Sequence, residues 1–92
     1  RELPVKKCRD IRSKFFLRMQ VENRPGVLAS IASVFGEHKV SINKVVQKII
    51  TDGMAEVVIV TDAVKEYHMQ DAQEELLRMP IVKEISSVIR EY

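Results

Sequence analysis

VENRPGVLASIASVF, residues Val21 to Phe35, is the stretch on which the reading of the chain turns. It reads as the end of a strand, a tight Asn23-Arg24-Pro25-Gly26 loop and the opening turns of an amphipathic helix. Arg24, preceding Pro25, is pushed toward extended geometry, while the proline ring holds its own φ near the helical value. Proline suits a first helical position, where the N–H it lacks has no intrahelical partner. Gly26, without a Cβ, lets a ligand or another backbone come close. Beyond it Leu28, Ile31, Ala32 and Phe35 fall at i, i+3, i+4 and i+7, one apolar stripe. A helix start with unpaired N–H groups, a positive dipole end and an asparagine beside it suits a carboxylate or other small anion. A plain strand-to-helix turn fits the same residues, since Pro-Gly marks chain reversals in many proteins.

Outward from this stretch the pattern is regular. Phe15, Leu17, Met19 and Val21 alternate with Phe16, Arg18, Gln20 and Glu22, the period of two of a strand with one buried face. The helix is expected over Pro25–His38. Val40–Ile50, rich in Val and Ile, reads as a second strand, and Thr51-Asp52-Gly53 as a hairpin turn. Met54–Thr61 is a third strand. Thr61 or Asp62 is placed to cap a second helix, with Glu66 in its first turn complementing the dipole. Met69, Ala72, Leu76 and Met79 repeat along that helix, Pro80 ends it, and Ile81–Arg90 is a last strand. The order β-α-β-β-α-β predicts an α+β, ferredoxin-like sandwich, a four-stranded antiparallel sheet with both helices on one face. Phe16, Val58 and Val60 would then lie on the uncovered face, an apolar patch that predicts association through sheet faces or edges.

At 92 residues and 46% hydrophobic content the chain supports one modest core. Residues 1–14 hold six Lys/Arg against two acids, whereas residues 15–92 hold nine against eleven. The basic excess of the chain is therefore in its leading segment, and the body lacks the basic face of a nucleic-acid binder. Arg1–Ser13 is expected to be a linker from a missing upstream domain, with residues 14–92 the folded domain. The lone Cys8 excludes an internal disulfide and a thiolate metal cluster. No apolar run is of membrane-spanning length and no signal-peptide pattern occurs, so a cytoplasmic protein is expected.

No catalytic constellation is present. His38 and His68, the only histidines, fall at the end of the first helix and on the solvated part of the second. Glu74 and Glu75 are adjacent on a helix and point apart. There is no metal-ligand spacing, nucleophile elbow or phosphate-cradling Gly-rich loop. Fold does not decide function here, because the same order serves unrelated modules. An RNA-recognition module would carry stacking aromatics in its third strand; Met54–Thr61 has none.

ENRPGVL followed by ASIASVFGEHKVSI resembles the signature of ACT domains, small regulatory modules of amino-acid-metabolic enzymes, over nearly the whole chain. The resemblance implies an amino-acid effector held between two domains. Asn23, Arg24 and Pro25, with the backbone amides of Gly26, Val27 and Leu28, would come from one domain. Ser41, Ile42 and Asn43 would come from its neighbour. Lys39, where the family commonly has Gly, must take a left-handed cap at some cost or end the helix differently. Within the family, LRMQVENRPGVLASIASVFGEHKVSI, AEVVIVTDAV and PIVKEISSVIREY resemble the C-terminal domains of homoserine dehydrogenases. That implies feedback control by threonine, homo-oligomers through domain pairing, no cofactor in this chain, and NAD(P) in an upstream catalytic domain. Phosphoglycerate dehydrogenase, which senses serine, carries a similar loop, and a purely structural pairing domain is the reading from another class.

Overall fold

The computed structural model describes residues 12–51 and 53–91. The leading segment before Arg12, with Cys8, and Asp52 of the predicted hairpin turn lie outside the described residues. Strands β1 (Arg12–Glu22), β2 (Ile42–Thr51), β3 (Met54–Thr61), β4 (Val64–Lys65) and β5 (Val82–Glu91) and helices α1 (Val27–Glu37) and α2 (Glu66–Arg78) follow in the order β1-α1-β2-β3-β4-α2-β5. All strand pairs are antiparallel. Strand β1 is central, with β3 and then β2 on one side and β5 on the other. This is the ferredoxin-like order expected, with one addition. The two-residue β4 pairs with Arg12 and Ser13, making five strands instead of four and drawing those two residues, assigned above to the linker, into β1.

The alternation in β1 does what its period requires. Phe15, Leu17, Met19 and Val21 are buried beneath the helices, and Ala55, Val57 and Ile59 of β3 join them. Helix α1 buries Val27, Ile31, Val34 and Phe35, and α2 buries Met69, Ala72 and Leu76. The α1 stripe is turned slightly from the predicted one: Leu28 is half-buried and Ala32 exposed, because Val27 and Val34 offer more apolar area to the core than Ala32 does.

Three helix ends differ from expectation or resolve it. Pro25 is not the first helical residue. Val27 N–H bonds Arg24 O at 3.3 Å and Gly26 has φ 86° and ψ −9°, so Arg24–Val27 is a type II turn with glycine at the position that demands positive φ. Gly26 is then the N-cap, and its carbonyl accepts the first helical bond from Ser30 at 3.0 Å. At the other end Lys39 does take the left-handed cap, with φ 62°. Val40 N–H bonds Phe35 O at 2.8 Å and Lys39 N–H bonds Gly36 O at 3.1 Å, the paired bonds of a Schellman motif. Val40 is thus part of the cap, and β2 starts two residues later than predicted. Neither Thr61 nor Asp62 caps α2, whose N-cap is Lys65. Thr61 is buried and its Oγ1 accepts the Phe15 N–H at 3.1 Å; Asp62 N–H bonds Ser41 O at 2.9 Å. Met79 is extended, φ −81° and ψ 129°, as a residue before proline prefers.

Candidate functional site

The turn after β1 stands at one end of the sheet, tied there by its backbone. Glu22 N–H bonds Ile81 O and Asn23 N–H bonds Gly53 O, each at 2.9 Å. This fixes the loop against both the β2–β3 hairpin and the start of β5. Between the loop and β2 lies an open groove of about 450 Å³ lined by Asn23, Arg24, Pro25, Gly26, Val27 and Leu28, with Ala29 and Gln47. The six loop residues singled out in the sequence therefore meet in one concavity.

The donors in that groove are not quite those expected. Val27 N–H is used within the turn. Among the described residues, Leu28 and Ala29 N–H have no backbone acceptor, and no side chain caps α1. Gly26 N–H likewise has no backbone acceptor among the described residues, so of the three amides expected only that of Val27 is spent, and Ala29 offers one in its place. Gln47, which the sequence reading missed, reaches in from β2, and its Nε2 donates to Asn23 Oδ1 at 3.4 Å. With its oxygen so engaged, the Asn23 NH₂ is left without a partner among the described residues. Periodicity alone held the signal for Gln47: it shares a face with Val45 and Ile49, a polar residue in an otherwise apolar row.

Arg24, the one cation of the groove, is already engaged. Its Nε lies 2.9 Å from Glu22 Oε1, and Lys83 Nζ lies 3.1 Å from the other carboxylate oxygen. The hydrogen bond from Lys83 holds the Glu22 carboxyl below its ordinary range, against an opposing effect of partial burial and with help from the Arg24 charge.

Ser41, Ile42 and Asn43 stand apart from this groove. They begin β2 opposite Thr61, whereas the loop adjoins the other end of the same strand, next to Met54. Asn43 Nδ2 donates to Asp62 Oδ1 at 3.0 Å, so part of its hydrogen-bonding capacity is spent within the chain. His38 Nε2 and Glu75 Oε1 are 2.7 Å apart and join the end of α1 to α2. His68 packs edge-on against Tyr67.

The family model described as "ACT domain" matches residues 15–78. Homoserine dehydrogenase from Synechocystis sp. is 41% identical over 86 residues, 94% of this chain and 20% of that protein. The enzyme from Corynebacterium glutamicum is 36% identical over 88 residues, 96% of this chain and 20% of that protein. The chain thus spans about a fifth of the length of the curated relatives it matches. Among solved structures, a homoserine dehydrogenase from Thiobacillus denitrificans superposes with a TM-score of 0.76 at 26% identity, covering 97% of this chain and 18% of that one. The ACT domain of a Chlorobium tepidum GTP pyrophosphokinase, at 16% identity and TM-score 0.64, shares the fold, covering 86% of this chain and 97% of that one. With the family model spanning both helices and strands β1 to β4, this chain belongs to the ACT domain family.

Proposed function

We propose that this domain binds a free amino acid, threonine in the first instance, and regulates a homoserine dehydrogenase of which it forms the C-terminal part. The observation that carries the reading is the groove at the start of α1. There Leu28, Ala29 and Asn23 line one volume, and the amides of the first two and the NH₂ of the third have no partner among the described residues. Three donors and the positive end of a helix match a carboxylate, and the Gln47 amide nearby matches a polar side chain. The similarity of nearly the whole chain to homoserine dehydrogenases supports the choice of parent.

The effector is closed in by a second copy. Ser41–Asn43 cannot reach their own loop, because most of β2 separates them. Antiparallel pairing of β2 with β2 of a second chain brings Ser41 and Ile42 of the partner subunit alongside the loop end of the strand. The β2 edge suits such pairing. The two register shifts of β2 lie at its ends and leave Lys44–Ile49 regular, whereas those of β5, the opposite edge, fall opposite Arg18/Met19 and Gln20/Val21 in the body of the sheet, an irregularity of the kind that protects edge strands. Val45, Val46, Ile49 and Ile50 of β2 are all exposed in the single chain. An effector that fits one arrangement of the paired domains better than another shifts the oligomer toward it, by as much as the difference in affinity. Nothing in the chain resembles a Gly-x-Gly-x-x-Gly fingerprint, so its residues do not fit a dinucleotide. NAD(P) chemistry belongs to the rest of the parent enzyme.

Thermal unfolding with each common amino acid tests this. At a concentration about a hundredfold above Kd the true effector adds about 2.7 kcal/mol, a rise in Tm on the order of 10 °C. A full panel that leaves Tm unmoved, on this chain and on the full-length enzyme, contradicts the reading.

A further inference from the structure

Among the described residues no element covers the face of the sheet turned away from the helices, and its residues form registered rows across β2, β3, β1 and β5. One row is Lys44, Val60, Phe16, Ile89; the next is Val46, Val58, Arg18, Ser87; the third is Lys48, Glu56, Gln20, Glu84. Phe16, Val46, Val58, Val60 and Ile89 make a connected apolar centre. Within it Val46 is 52% and Ile89 60% exposed, a contiguous apolar surface of the kind that marks an interface. Arg18 and Glu56 in the middle are paired with each other at 3.7 Å, so covering them strands no single charge.

The charges at the two margins are arranged differently. Lys44 and Lys48 stand on β2, and neither has an ion-pair partner among the described residues. Glu84 stands on β5, three strands away in the same row as Lys48, and is equally without one. The β2 margin is thus basic, while the β5 margin carries Glu84 unpaired beside Lys83, whose own charge is taken up by Glu22.

We infer that this face is a self-complementary interface on which a second copy of the chain packs sheet to sheet, about a twofold axis parallel to the strands. Of the twofold axes lying between the sheets, two keep the strands of the copies aligned, and charge chooses between them. An axis across the strands lays β2 over β2, so Lys44 and Lys48 meet their own kind, a like-charge contact that disfavours the pairing. An axis along the strands lays β2 over β5 and β3 over β1. Lys48 of each copy then faces Glu84 of the other, and Val60 faces Phe16. Lys44 lies over Ile89, its stem on the apolar surface and its ammonium free to reach water. Each contact occurs twice, as an isologous interface requires. The strand directions stay nearly aligned, the commonest arrangement for stacked sheets, and a separation of about 10 Å is within reach of a lysine and a glutamate. This interface uses the opposite surface from the effector groove and is compatible with edge pairing through β2, so it stands whether or not an amino acid binds.

Charge reversal tests it on the whole chain by sedimentation equilibrium. Lys48→Glu and Glu84→Lys, both on exposed side chains, are each expected to raise the dissociation constant of the sheet-face contact about tenfold or more. The double variant, which restores opposite charges in reverse, is expected to return within about threefold of the unmodified chain. High salt should narrow these differences. A chain that is monomeric throughout, single reversals without effect, or a double variant no better than the singles would each overturn the interface. The melting temperatures of all four proteins, expected to agree in the dissociated state, separate loss of the contact from loss of the fold.

Discussion

Lys39 carries a φ of 62° where a glycine would sit without cost, and the Schellman bonds of Val40 and Lys39 hold it there. An L-residue in this conformation gives up about 1–2 kcal/mol. Lys39→Gly relieves that while loosening the unfolded chain, so a net gain of about 1 kcal/mol is expected in the urea unfolding free energy. Ser13 offers a similar gain by another route. Its Oγ is buried without a hydrogen-bond partner, and Ser13→Ala removes that desolvated hydroxyl, for a gain of about 1 kcal/mol. Glu22 sets a pH dependence. Because Lys83 and Arg24 hold its carboxyl below the ordinary range, its contribution is complete above the unfolded pKa and is lost as pH falls through the folded value. Glu22→Gln should therefore flatten the acid side of the stability profile and leave it unchanged near neutrality relative to its own plateau. Urea midpoints measured between about pH 7 and pH 3 read this directly.

At the level of elements, β1, β3 and the α2 stripe were legible because burial on one face imposes a period that few other structures share. Leu76, fully buried on α2, belongs to that stripe. Leu76→Ala should cost about 2–5 kcal/mol, a large part of the stability of so small a domain, measured by denaturant unfolding. The ends were less legible. Pro25 was placed in the helix because proline is common at a first helical position, but Gly26 after it made a type II turn the better use of both residues. Thr61 has the chemistry of a helix cap, yet a buried N–H of Phe15 competes for the same oxygen, and no local pattern records a partner so far off in sequence. Strand β4 is two residues long, too short for any period to show. The loop side of the groove was readable as a cluster of neighbours in sequence. Gln47 was not, because only folding of the hairpin brings β2 to Asn23.

For the whole molecule, one small sheet has two surfaces with different tasks. The helix-covered side ends in a groove lined by the start of α1 and Asn23; the bare side has an apolar centre with Lys44 and Lys48 at one margin and Glu84 at the other. On the proposed function, joining domains through β2 would place the start of that strand, which is remote from its own loop, beside a neighbouring loop. The most direct measurement is a titration of the labelled protein with threonine, followed in the nitrogen–proton correlation spectrum. The account predicts saturable shifts largest at the Leu28 and Ala29 amides and at the Asn23 and Gln47 side chains, abolished by Asn23→Ala. Shifts confined to other parts of the domain, or a spectrum that no free amino acid changes, would contradict it.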